Sequence, residues 1–225
     1  MRMASPLFAV KPLVLAGAIA VGLFAQCQQV RAAETETVLV AGGCFWCVEA
    51  DFERVDGVIE AVSGFAGGSV PNPTYKEVTR GGTGHLEAVS VTFDPDQISA
   101  RQLYDLFLRS IDVTDADGQF CDRGENYSSA VFALTPEQRQ AALAAKAAAE
   151  AALGREIVTP VREAARFYAA DDYHQDYYKS DDLILFSRFG PTQKSSAYKR
   201  YREACGRDAR VSEIWGADAP FLPTN

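Results

Sequence analysis

Two cysteines three positions apart, Cys44 and Cys47, follow the glycines Gly42 and Gly43, where a β-branched, apolar run from Thr37 to Ala41 gives way to apolar residues at helical spacing. The pattern predicts strand, tight turn, then helix from Cys44 to Val55, with Cys44 at the helix N-terminus. Unpaired backbone N–H groups and the helix dipole favour a thiolate there, and the thiolate is the nucleophilic form of cysteine. A free thiol titrates near roughly 8.5, so a thiol in this setting is expected to carry a reactive fraction at neutral pH. Phe45 and Trp46 come next and offer an apolar cup beside the sulfur. It would hold a methyl group at about 0.8 kcal/mol per buried carbon, enough to orient it but not to bind it tightly.

Other chemistry fits the same residues. Cys44, Cys47, Cys121 and Cys205 would suffice for two static disulfides in an exported protein. A thiol–disulfide exchanger would use Cys44 and Cys47 directly, and a metal site would draw on them with His85 or His174. A binding module with purely structural cysteines is the non-catalytic alternative. A domain of this length needs no staples for stability, and a C-x-x-C beside glycines suits redox work, so redox function is favoured.

The elements around these residues alternate. Strands are expected at Val58–Val62, at His85–Phe93 and at Ser128–Leu134, with a last one at Glu156–Val161. Ser99 caps an amphipathic helix through Arg109, and Thr135-Pro136-Glu137 opens an alanine-rich helix that Gly154 ends. Gly64–Pro73, leading to Tyr75, and Asp112–Tyr127 read as long loops. The order βαββαβαβ predicts an α+β fold, a two-layer arrangement of a mixed or antiparallel sheet with helices largely on one face. Beyond Ala164 an aromatic-rich, irregular stretch is expected to wrap the domain before a short helix near Lys199–Ala204.

The chain has 225 residues and a formal net charge of −8, which argues against affinity for nucleic-acid phosphates or anionic lipid. Arg2 and Lys11 precede an apolar run from Pro12 to Ala25 that is too short to span a membrane, so residues 1–33 read as a signal peptide. Cleavage after Ala32 or after Ala25 is compatible with it, and a lipid anchor on Cys27 is the alternative that would bring a membrane into play. Residues 34–225 are then a single catalytic domain with an extended C-terminal tail, placed in the periplasm or outside the cell.

Five blocks in order reach a family. Gly43-Cys44-Phe45-Trp46, Pro71-Asn72-Pro73-Thr74-Tyr75, Gly82 through Val89, Asp122-x-Gly124-x-x-Tyr127-x-Ser129-Ala130 and Tyr173-His174-Gln175-Asp176-Tyr177 resemble the A-type peptide methionine sulfoxide reductases. The resemblance covers about Val38 to Tyr178. It implies a ferredoxin-like core, preference for the S epimer of methionine sulfoxide, free or in proteins, and no bound metal or organic cofactor. The implied reductant is thioredoxin-like or a small thiol.

Carried over residue by residue, it makes Cys44 the nucleophile and Phe45 and Trp46 the pocket for the substrate methyl. It sets Glu87, Tyr75 and Tyr127 around the sulfoxide oxygen, with Asp122 at a further site position. A sulfoxide oxygen must gain a proton before its sulfur accepts a thiolate, so an acid with a raised pKa is required, and Glu87 is the expected one. His85 is given no catalytic role. Attack would leave Cys44 as a sulfenic acid, to be cleared as a disulfide by Cys205 or Cys47, with Cys121 a third choice. The family most often has glycine at position 47 and a glycine-rich tail, whereas this chain reads Cys205-Gly206-Arg207-Asp208, so both routes stay open, with a slight lean to Cys205.

Overall fold

Residues 34–223 are described by the computed structural model; the expected signal peptide and Cys27 lie outside the described residues. The chain opens with β1 (Glu36–Gly42), α1 (Phe45–Phe52), β2 (Val58–Ala66), β3 (Leu86–Phe93) and α3 (Ala100–Arg109), with a short helix α2 (Tyr75–Arg80) between β2 and β3. A small hairpin follows, β4 (Gly118–Gln119) and β5 (Asp122–Arg123), then β6 (Ser129–Ala133), α4 (Pro136–Leu153), β7 (Val161–Glu163) and β8 (Phe167–Ala169). The tail carries a two-stranded ribbon, β9 (Leu183–Ile184) with β10 (Thr192–Gln193), and two helices, α5 (Lys194–Ala204) and α6 (Arg207–Trp215).

The main sheet has the order β7-β6-β1-β3-β2-β8. Its four central strands pair antiparallel, and β1-α1-β2-β3-α3-β6 is the βαββαβ connectivity of a ferredoxin-like core; β7 adds parallel to β6 and β8 antiparallel to β2. The expected α+β class holds, and strand parity explains the layers. Val38 and Val40 of β1, with Val89, Val91 and Phe93 of β3, face a core filled by Phe52, Leu103, Phe107 and Ala145 of the helices. Leu39, Ala41, Ala88 and Phe132 point to the opposite face, where Ala165 and Phe167 of the later chain cover them.

Several boundaries differ from expectation. β2 runs on to Ala66 through what reads as loop, because Gly64 lets β8 lie against it: a Cβ there would stand 2.3 Å from the Tyr168 carbonyl oxygen. Tyr75–Arg80 is a helix held by a capping box, Thr74 accepting from the Glu77 N–H while the Glu77 carboxylate accepts from Thr74. The strand expected at Glu156–Val161 forms instead at Val161–Glu163 and shares only Val161 with the expected range. Pro160 has no N–H to give a ladder, and the carbonyls of Ile157 and Thr159 are taken by the Lys146 ammonium. The tail helix begins at Lys194 and a second helix follows it, buried through Val211 and Trp215 one turn apart.

Candidate active site

The site sits where β1 hands over to α1. Gly43 has φ +80, and a Cβ there would come 2.5 Å from Cβ of Gln119, so only glycine lets the β4–β5 hairpin close against the turn. Cys44 is the N-cap of α1 and lies almost wholly buried. Val40 of β1 pairs with Val89 of β3, which brings Glu87 level with the end of β1, on the helix-covered face. Its carboxylate accepts the Phe45 N–H at 3.0 Å, so the first free amide of the helix serves Glu87 rather than the Cys44 sulfur.

That detail and burial overturn one expectation. The Cys44 thiol is pushed well above its ordinary range, chiefly by burial, then by donating its hydrogen bond to Cys47 and by the nearby charges of Glu87 and Asp122. Cys47 is shifted the other way: the hydrogen bond from Cys44 lowers it, burial opposes, and the guanidinium groups of Arg207 and Arg202 add to the lowering. The helix N-terminus therefore does not by itself make Cys44 a resting thiolate.

Glu87 is 2 % exposed, and burial raises its pKa to about 8 against the lowering pull of the Phe45 N–H, with the charges of Asp122 and Cys47 adding to the rise. Tyr75 and Tyr127 are also raised, by burial first and by Glu87 next, so both hydroxyls are donors at neutral pH. Asp122 is raised by burial and accepts a hydrogen bond from the Tyr201 hydroxyl. Cys44, Phe45, Trp46, Tyr75, Glu87, Asp122 and Tyr127, all expected from the sequence, line one cavity of about 70 Å³, and Tyr201 completes its wall. Tyr201 was not foreseen; it arrives from α5, 79 residues after its partner Asp122.

The aromatic side of the cavity is held from behind. Trp46 stacks on Tyr177 with ring centroids 3.8 Å apart, and His174 lies against Phe45, Trp46 and Tyr75. Gln175 fixes this segment to β2, accepting from the Ser63 N–H and donating to the Ser63 and Ala170 carbonyls. Both ring nitrogens of His85 are engaged by the backbone at Gly68 and Val70, so it is no ligand for a metal at Cys44.

Cys205 is joined to Cys121 in a disulfide with Cα atoms 4.8 Å apart, while Cys44 and Cys47 are both free thiols. The bond ties the β4–β5 hairpin, which bears Asp122, to the end of the helix bearing Tyr201. Two buried arginines anchor the tail beneath the site: Arg202 bridges Asp51 and Asp208, and Arg207 donates to the Gly42 and Ser110 carbonyls.

A recessed thiol, a protonatable carboxyl and two phenolic donors share this cavity, the set of groups that a cysteine-dependent oxidoreductase requires. Residues 36–215 match the family model described as peptide methionine sulfoxide reductase. The chain is 48% identical over 186 residues, 83% of its length and 86% of the relative's, to peptide methionine sulfoxide reductase MsrA 2 of Rhizobium meliloti. Methionine sulfoxide reductase A of Corynebacterium diphtheriae superposes with a TM-score of 0.59 at 35% identity, covering 66% of this chain and 75% of that one. The reduced form of Mxr1 from Saccharomyces cerevisiae gives 0.61 at 29% identity, covering 68% and 88%. The chain belongs to the peptide methionine sulfoxide reductase family, A type, and is an oxidoreductase acting on methionine sulfoxide.

Proposed function

We propose that the protein reduces the S epimer of methionine sulfoxide through a sulfenic acid on Cys44, and the observation that carries this reading is the cavity that Glu87 shares with Cys44, where burial pushes the carboxyl up to about 8. The substrate methyl rests against Phe45 and Trp46, and its oxygen receives hydrogen bonds from Tyr75, Tyr127 and the Glu87 carboxyl. Glu87 gives its proton to the oxygen as Cys44 attacks the sulfur, and takes up the proton that the Cys44 thiol releases. The hydroxyl then passes from the methionine sulfur to the Cys44 sulfur as the transient bond between the two sulfurs breaks; methionine leaves, Cys44 is left as S–OH, and two electrons have passed from the thiol to the substrate. Deferring deprotonation until substrate is bound keeps a buried thiolate from forming in the empty site.

Cys47 then attacks the Cys44 sulfur, water leaves, and a Cys44–Cys47 disulfide forms. Its free thiol, on the turn whose N–H bonds back to the Cys44 carbonyl, supports this role over Cys205, which is free to act only once its bond to Cys121 is reduced. A thioredoxin-like dithiol or a small thiol returns both cysteines to thiols. Export to the periplasm or beyond is part of the proposal, since an oxidising compartment suits the Cys121–Cys205 bond.

The test is a single turnover with the reduced protein and no added reductant, followed by peptide mapping. One equivalent of methionine with loss of the Cys44 and Cys47 thiols is expected. Product without a Cys44 adduct or disulfide would refute the assignment.

A further inference from the structure

The cavity beside Cys44, at about 70 Å³, takes a small head group only, so the rest of a peptide substrate must lie across its mouth. Three of its walls, Trp46, Tyr75 and Tyr201, also line an adjoining groove of about 290 Å³, room for one or two side chains. The groove continues over Tyr177, Ile184 and Phe186. Of the seven large apolar residues exposed among the described residues, four, Tyr173, Leu183, Leu185 and Phe186, belong to this groove or are chain neighbours of its lining, and Phe186 is 96% exposed. Apolar surface gathered in this way marks a binding site.

The groove is built in advance of any partner. The β9–β10 ribbon presents Ile184, the Lys194 ammonium ties it to Asp182, and the Trp46–Tyr177 stack stiffens its inner side. Because it shares three walls with the cavity, a side chain seated in it belongs to a residue next to, or one removed from, the residue whose head occupies the cavity, at about 3.3 Å of extended chain per residue.

We propose that this groove binds the polypeptide flanking an oxidised methionine, and selects extended segments with an apolar or aromatic neighbour. The proposal rests on the sulfoxide-reductase reading and names its substrate class. Apolar side chains are more often buried than exposed in folded proteins, so extended segments that offer them beside a sulfoxide are presented most fully by unfolded or misfolded chains.

Three substrates separate the two levels: a blocked methionine sulfoxide with no neighbours, a peptide with Phe and Leu beside the sulfoxide, and one with Ser on both sides. Dithiothreitol serves as reductant, and Phe186→Ser is compared with wild type. Phe186 is too exposed for its loss to disturb the fold. Wild type is expected to show a KM about three- to tenfold lower for the apolar peptide, a difference that Phe186→Ser abolishes while kcat/KM for the blocked amino acid stays unchanged. Equal KM values in wild type, or a preference intact in Phe186→Ser, would overturn the proposal. With a thioredoxin in place of dithiothreitol, an effect of Phe186→Ser confined to the KM for the thioredoxin would overturn it too, and would assign the groove to the reductant. Failure to reduce the blocked amino acid would instead overturn the underlying reaction.

Discussion

Glu87→Gln separates chemistry from architecture at the site. The amide keeps the shape and an oxygen to accept the Phe45 N–H, so the turn should be preserved, but the acidic proton is gone. With a pKa of about 8, Glu87 is roughly nine-tenths protonated at pH 7, against well under one per cent for an ordinary carboxyl. Positioned general acids contribute about 10²–10⁴-fold, so single-turnover formation of methionine should slow by that factor. The alkaline fall in rate near pH 8 should vanish with it.

Stability should move the other way. The folded pKa lies above the unfolded one, so the preference for the protonated carboxyl stabilises the fold fully below about pH 4.5 and is lost as pH rises through about 8. Between about pH 6 and pH 9 that loss is about 3 kcal/mol, and Glu87→Gln escapes it. Denaturant titration at the two pH values should therefore show the variant gaining on wild type at the higher one. A variant within tenfold of the wild-type rate, or one that keeps the limb near pH 8, would refute the assignment of Glu87 as the acid.

Cys47→Ser should still make one equivalent of methionine and then stall, with a sulfenic acid on Cys44 that a dimedone-type trap detects by mass spectrometry. Full turnover of this variant with a protein dithiol would show that another cysteine resolves Cys44. Replacing Cys121 and Cys205 together by serine removes a cross-link spanning 84 residues, and chemical denaturation should show a loss of about 4.5 kcal/mol if the unfolded chain is expanded. Arg207→Met strips the Gly42 and Ser110 carbonyls of a donor and takes a guanidinium from the buried Asp51. Asp51 keeps Arg202, so the cost comes mainly from the two carbonyls, and about 2–3 kcal/mol is expected from the same titration.

Part of this site was legible because local rules govern it. The Gly42-Gly43 break placed Cys44 at a helix start, whereas Glu87, Tyr75, Tyr127 and Asp122 were reached through the family resemblance rather than through periodicity. The α2 helix was present in the Thr74-x-x-Glu77 spacing, yet the glycines and prolines before it dominated the reading. What the sequence did not reveal depends on distant packing. Tyr201 reaches Asp122 across 79 residues and Cys205 reaches Cys121 across 84, and no periodicity records either meeting. The direction of the Cys44 pKa was misjudged for the same reason: helix position is local, whereas burial by the tail and hairpin is not.

The central claim is tested most directly by turnover of the two separated epimers of a methionine-sulfoxide peptide, with dithiothreitol as reductant, by wild type and Cys44→Ser. Reduction of the S epimer alone, abolished in Cys44→Ser, is the predicted result. Turnover that survives loss of Cys44, or a folded and reduced wild type inert towards both epimers, would contradict it.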